Sequence, residues 1–402
     1  MKGRKVIILN MLYVGIDVSK HKHDCFITNA DGEALTDVFT IPNSREGFEE
    51  LHRRIKSFRT IPSVENTKVG LEATGHYSDN IIGFLRKIGL PPVILNPLQV
   101  SLYRKGESLR KTKTDKSDAR FIARMLIAKD FKPHSQSSYH SEELKSLTRH
   151  RQRMVWTRSR FKVLYDRLRS IVFPELENFV KCSGSLTELK LMLEFPTSEA
   201  VANCHLTRLV NLVETHSHGK LGKKWAVELK ELAKNSIGSN SPAKALEMKQ
   251  TIRQIMSLSK EIDIIDVEIK TIVNDSGTSL MTIPGIGYTI AAIILAEIAD
   301  ITRFATPDKL QAFAGLDPTS YQSGQFTGQR DVMVKRGSTY LRWALLMAAR
   351  TASRTDNVFG EYLSRKIAEG KHYNNAMGHV AKKLIRVIFK LMNTGEAYVA
   401  KA

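Results

Sequence analysis

Tyr13-Val14-Gly15-Ile16-Asp17-Val18 is apolar until a carboxylate appears at its end, the pattern of a buried strand. Reading outward, Asp24 to Thr28 forms a second strand, turned by Asn29-Ala30-Asp31-Gly32, and Thr36 to Ile41 a third. Ser44 then caps a helix with Phe48, Leu51 and Ile55 on one face, although Gly47 leaves its capping box incomplete. Lys68 to Glu72 is a fourth strand, His76 to about Ile88 a helix, and Pro92 to Leu95 a fifth strand. A three-strand meander followed by alternating helix and strand describes an α/β layer domain over 11–140.

Strand signals then stop. Leu144, Leu147, Met154, Phe161, Leu164, Leu168 and Ile171 keep helical spacing, as do Met248, Ile252, Ile255, Leu258, Ile262, Ile265, Ile269 and Ile272. Between them lies a softer region with Gly184, Gly219, Gly222, Gly238 and Pro242, so 141–275 reads as a coiled-coil-like hairpin with a loop-rich tip. From 276 to 402 a small helical domain follows: a Pro284-Gly285-Ile286-Gly287 turn opening a helix, a Thr306-Pro307 helix start, a Gly- and Ser-rich loop from Asp317 to Gly337, and two further helices. The expected fold class is α/β plus all-α.

The chain has 402 residues, 61 Lys plus Arg against 41 Asp plus Glu, a net charge of +20, and 42% hydrophobic residues, which excludes a disordered chain. The charge is uneven: residues 101–170 carry a net +12 and residues 321–402 a net +9, leaving the rest close to neutral. Two basic blocks fit two polyanion-binding surfaces better than one solvated face. Three cysteines (Cys25, Cys182, Cys204) with no CxxC pair make a reducing, cytoplasmic setting the expectation, and nucleoid association is expected as well. The basic, apolar start resembles a signal peptide but meets Asp17-Val18-Ser19-Lys20 instead of a cleavage site, which makes it a strand and Met11 an alternative start. The uncharged run from Ser276 to Ala296 is broken by Pro284, Gly285 and Gly287, so no membrane span is expected.

Asp17 and Glu72 end strands, while Asp115 and Asp118 stand three apart, on one face of a helix. The latter pair sits within Arg110-Lys111-Thr112-Lys113-Thr114-Asp115-Lys116-Ser117-Asp118-Ala119-Arg120. Acids at a phosphate-binding surface repel the substrate unless cations neutralise them. Such hard oxygen donors suit Mg²⁺ or Mn²⁺, and two ions can activate an attacking oxygen and stabilise a leaving one. Arg120, Arg124, Arg149, Arg151, Arg153, Arg158 and Arg160 recur with little apolar patterning and are expected on nucleic-acid backbone, while Trp156 and Tyr165 among them read as helix contacts. His76 reads as local structure at a helix start.

Three motifs, Gly15-Ile16-Asp17-Val18-Ser19-Lys20, Gly70-Leu71-Glu72-Ala73-Thr74-Gly75-His76-Tyr77 and Thr112 to Arg120, resemble those of DEDD-type insertion-sequence transposases. The likeness continues in Ile283 to Gly287, Phe313-Ala314-Gly315-Leu316-Asp317-Pro318 and Ser323-Gly324, while the middle matches only as a helical linker. It implies an N-terminal RNase H-like domain similar to RuvC, with Asp17, Glu72, Asp115 and Asp118 as catalytic metal ligands for Mg²⁺ or Mn²⁺. It further implies a catalytic serine in the C-terminal domain. Ser323 is preferred over Ser320, because Gly324 lets backbone approach a phosphate and Arg330, Lys335 and Arg336 follow nearby. The Pro284-Gly285-Ile286-Gly287 turn resembles a helix-hairpin-helix, with Gly285 and Gly287 presenting backbone amides to phosphate. Arg110, Lys111, Lys113 and Lys116 are expected on nucleic acid as well. The resemblance also implies a structured non-coding guide RNA encoded by the element, DNA ends and target as substrates, and a homodimer or homotetramer in which one subunit's acids meet another's serine. A DNA invertase of the same family and a RuvC-like junction nuclease are the alternatives.

Overall fold

A computed structural model describes residues 11–59, 66–72, 75–95, 115–128, 139–180, 183–317 and 333–400, with residues 97, 100–101, 103, 131, 322–323 and 326–327 between them. The chain divides into two compact units, Met1–Ser137 and Ser138–Ala402.

The first unit is a five-stranded mixed sheet of order β3-β2-β1-β4-β5, formed by β1 (Met11–Val18), β2 (Lys22–Thr28), β3 (Phe39–Pro42), β4 (Asn66–Glu72) and β5 (Val93–Leu95). β2 runs antiparallel to β1 and β3, while β4 is parallel to β1 and β5 parallel to β4. The expected meander and alternation are both present. The third strand begins at Phe39 instead of Thr36, because the Leu35 and Thr36 amides both donate to Ile27 O and fold the start of the β2–β3 connection back on β2 as a separate turn. On one face Leu12, Val14, Ile16, Cys25 and Ile27 pack against α1 (Arg45–Arg59) and α2 (Asp79–Lys87).

The opposite face takes α3 (Asp115–Ala128). A Cβ on Gly15 would lie 2.1 Å from Ala119 O and 2.7 Å from Ala123 N, and one on Gly70 would lie 2.7 Å from Leu126 Cδ1. Gly15 and Gly70 are register partners on adjacent strands. The helix therefore sits directly on sheet backbone, with Phe26 filling the space beside it against Ala119 and Ala123.

The second unit is helical. α4 (Tyr139–Val172) and α10 (Pro242–Asp275) pair antiparallel: Arg151 meets Asp266 and Arg158 meets Ser259, seven residues on along one helix and seven back along the other. The expected hairpin is intramolecular. Its tip is more ordered than the loop-rich reading, with α5 (Leu176–Phe179), α6 (Leu186–Glu194), α7 (Ser198–Asn203), α8 (Leu206–Ser217) and α9 (Lys223–Lys234) sharing a core with the near ends of α4 and α10. Glu188 and Arg169, both almost fully buried, pair at 3.0 Å inside it, and the Tyr165 hydroxyl donates to Glu188 at 2.7 Å. The glycines that read as loop are turns between short helices; Gly184 and Gly219 take φ of +69° and +76°.

The rest of this unit comprises α11 (Tyr288–Ile298), α12 (Pro307–Phe313), a ribbon of β6 (Gln322–Ser323) and β7 (Phe326–Thr327), α13 (Thr339–Thr355), α14 (Asn357–Ala368) and α15 (Tyr373–Thr394). α11 is buried nearly all round, and its one carboxylate, Glu297, is held by Arg149 of α4 at 2.8 Å and by the Ser338 hydroxyl at 2.8 Å. Ser338 also accepts from Leu341 N, so the same side chain caps α13. Among the described residues no helix is long and apolar enough to cross a membrane.

Gly15→Ala inserts a methyl group against helix backbone that cannot rotate away. Loss of about 1–3 kcal/mol is expected in denaturant unfolding of the first unit; an unchanged midpoint would show that α3 is free to lift off the sheet.

Candidate active site and nucleic-acid interface

Strand pairing places the sheet's acids. Ile16 and Leu71 are register partners, so Asp17 and Glu72 stand side by side one residue further on, at the carboxyl ends of two parallel strands. By alternation they share the face of Gly15 and Gly70, the one that α3 covers. Asp118 lies in the first turns of α3 and is 4% exposed, one residue before the Ala119 that touches Gly15. Three of the four expected acids therefore belong to one side of one sheet. Asp115 begins α3, but its side chain lies outside the described residues. Among the described residues no three carboxylate, imidazole or thiol groups converge closely enough to hold an ion.

The structure adds an acid that sequence reading missed. Asp24 on β2 pairs directly with Asp17, which sets both side chains on the α3 face. It is 4% exposed and accepts a hydrogen bond from the Thr40 hydroxyl at 2.5 Å. A signal was present in the sequence: an aspartate inside an otherwise apolar strand. Its partner became evident only from register.

The C-terminal elements arrange differently. Ser323 pairs with Phe326 in the β6–β7 ribbon, with its side chain outside the described residues, as are Ser320 and Arg330 entirely. The chain on either side of the 318–332 segment is tied together: Val334 N donates to Asp317 O at 2.9 Å, Ser338 N to Phe313 O at 3.0 Å, and Arg342 Nη1 to both Ala314 O and Lys335 O. Lys335 adopts φ +54° there, and it and Arg336 are exposed.

The expected phosphate contacts divide. Arg110, Lys111 and Lys113 lie outside the described residues, and Lys116 is described only in its backbone. Arg120 is exposed, 3.9 Å from Asp37 and over the Phe26 ring. Arg153 is exposed on α4. Arg151 is engaged in a two-pronged pair with Asp266 and Arg149 in another with Glu297, so both guanidiniums tie helices together. Tyr165 is buried as expected, whereas Trp156 is 54% exposed and stacks on Tyr340. Gly285 has φ +92°, and a Cβ on it would lie 2.7 Å from Ala352 N of α13; turn geometry and helix contact both require glycine there. Gly287 precedes α11 with open space around its Cα, and no side chain caps that helix.

A family model described as "Transposase" matches residues 14–174, and one described as "Transposase IS116/IS110/IS902 family" matches residues 277–364. The chain belongs to this transposase family. It is a DNA transposase or recombinase. A protein of insertion element IS116 from Streptomyces clavuligerus is 24% identical over 95% of this chain and 94% of its own. The transposase for insertion sequence element IS1111A from Coxiella burnetii is 23% identical over 99% and 94%. A pilin gene-inverting protein from Moraxella lacunata is 23% identical over 97% and 98%. A solved structure of Thermus thermophilus RuvC with a Holliday junction aligns to 31% of this chain and all of its own at 15% identity, with a TM-score of 0.23, too slight a likeness to bear on the fold.

Opposed carboxylates on adjacent strands repel one another when both are charged. Asp24→Asn keeps the Thr40 hydrogen bond and removes one charge opposite Asp17. An increase of up to about 1 kcal/mol in stability of the transposase without divalent cation is expected, read as a higher melting temperature; a fall would show the two acids do not face each other.

Proposed function

We propose that this transposase cuts and rejoins DNA strands at the ends and target of an insertion sequence, with an RNase H-like acidic site and Ser323 acting together. The observation that carries the reading is the placement of Asp17 and Glu72 at neighbouring strand ends, on the face where α3 brings Asp118. The donors are all oxygen, which fits Mg²⁺ or Mn²⁺ and not a soft metal. Asp17, Glu72, Asp115 and Asp118 are the proposed ligands, with Asp24 beside them as an orienting acid. A bound divalent ion would supply charge neutralisation and lower the pKa of the attacking oxygen.

Ser323 is the proposed nucleophile. Its Oγ forms a bond to phosphorus while the bond to one deoxyribose oxygen breaks, and the serine proton passes to the departing oxygen. Reversal by a different deoxyribose hydroxyl frees the serine and rejoins the strand. Lys335 and Arg336, beside the tied base of the loop, are positioned to offset phosphate charge. An element-encoded RNA pairing with donor and target DNA supplies sequence choice in this reading, consistent with the absence from the sequence of a base-reading motif such as a zinc finger. A homodimer or homotetramer would let one subunit's acids serve another's serine. A second reading, inversion of a resident DNA segment, is favoured by the likeness to the pilin gene-inverting protein.

With matching DNA and Mg²⁺, Asp17→Asn, Glu72→Gln and Ser323→Ala are each expected to lower strand exchange by about a thousand-fold or more. A covalent protein–DNA adduct should survive Ser320→Ala and vanish with Ser323→Ala. The opposite result would move the nucleophile, and full activity of Asp17→Asn would remove the metal site. Sequencing the nucleic acid that copurifies with the protein tests the guide.

A further inference from the structure

α15 carries four lysines or arginines, and the lysines on it and just before it differ in how they are used. Lys383 donates to Val358 O at 3.2 Å, and Lys390 pairs with Glu396 at 3.2 Å. Just before the helix, Lys366 pairs with Glu369 at 2.8 Å. Lys371 and Lys382 have no carboxylate partner among the described residues. Both line one cleft of about 310 Å³, together with Asn374, Asn375, Gly378 and His379. Asn374, Asn375, Gly378, His379 and Lys382 recur every three or four residues on one helix face, and Lys371 lies just before the helix start. Among the described residues no acid lines the cleft.

The opposite wall is Leu316 and Met333. These two residues flank the segment that contains Ser323, at the base where Val334 and Asp317 are hydrogen-bonded. The cleft thus offers donors on one side, two ammonium groups, two carboxamides and an imidazole, and apolar surface on the other. His379 has its pKa pushed down by burial and by Lys371, Lys382 and Lys366, against the weaker opposite pull of Glu369. The neutral ring can still donate one N–H. Gly378 leaves open space in the middle of the helix face, where a Cβ would meet nothing within 4 Å.

A ligand complementary to this lining is anionic, rich in acceptor oxygens, and apolar at one edge. A phosphodiester with its attached deoxyribose has that make-up. We propose that the cleft between α15 and the base of the 318–332 segment is a binding site for a DNA backbone phosphate, held by Lys371 and Lys382 with Asn374, Asn375 and His379. The inference rests on the reading of Ser323 only for its purpose, to hold a strand next to the reacting phosphate; binding itself needs no chemistry. DNA is the source assigned because the family acts on DNA.

The test is equilibrium binding of the full-length protein to a DNA duplex and to the same sequence as RNA, across a salt series. Lys371→Gln with Lys382→Gln should weaken DNA binding about 10-fold or more and flatten the slope of log affinity against log salt by about 1–2. Lys390→Gln, the removal of a paired lysine outside the cleft, should leave that slope within error. Unchanged affinity and slope in the double variant, with an unaltered melting temperature, would overturn the site. Loss confined to the RNA probe would overturn the assignment to DNA. Because these titrations need no strand exchange, a wild-type protein that binds as expected but forms no serine adduct would sink the nucleophile and leave the cleft standing.

Discussion

The close seat of α3 on the sheet is the constraint on which the acidic site depends. Gly15 and Gly70, paired across β1 and β4, remove the side chains that would hold the helix away. Helix backbone then meets strand backbone at Ala119, and the residue before it is the buried Asp118. Any larger residue at Gly15 would separate the acid on the helix from the acids on the sheet. The glycine that begins the first motif and the aspartate two residues later are thus parts of one arrangement: one sets the distance, the other supplies the donor.

The second unit solves a different problem, fixing the two points where the chain enters and leaves residues 318–332. The residues on both sides of 318–332 are tied by backbone hydrogen bonds and by Arg342, and Ser338 links that base to Glu297 in the buried α11. Arg149 completes the charge balance from α4. A buried carboxylate with both a guanidinium and a hydroxyl is tolerable where a lone one would be costly. The residues on both sides of 318–332 are therefore anchored to an apolar helix through satisfied polar groups. The two arginine ties, Arg149 to Glu297 and Arg151 to Asp266, take charges that look free in the sequence and use them inside the fold.

That reassignment shows how sequence reading succeeds and fails in this chain. Strands and long helices were legible, because alternation and three-to-four spacing follow directly from backbone geometry. The acids at strand ends were legible because a carboxylate closing an apolar run is conspicuous. The tip of the hairpin was not, since a glycine between two short helices looks the same as a glycine in a loop. The ties of Arg149 and Arg151 are not legible for a related reason: charge counts do not say which cations face a carboxylate 115 or 148 residues away. Gly285 read as a phosphate-gripping turn, yet its contact with α13 already explains it.

The sequence alone determined the fold class, the order of strands and helices, the four candidate acids and the two basic blocks. Each is a local property, fixed by residue type and spacing. Tertiary structure alone decided that Asp24 stands opposite Asp17, that the hairpin closes on itself, and that Lys371 and Lys382 line one cleft. Those depend on register and packing between segments far apart in the chain, which no local pattern encodes.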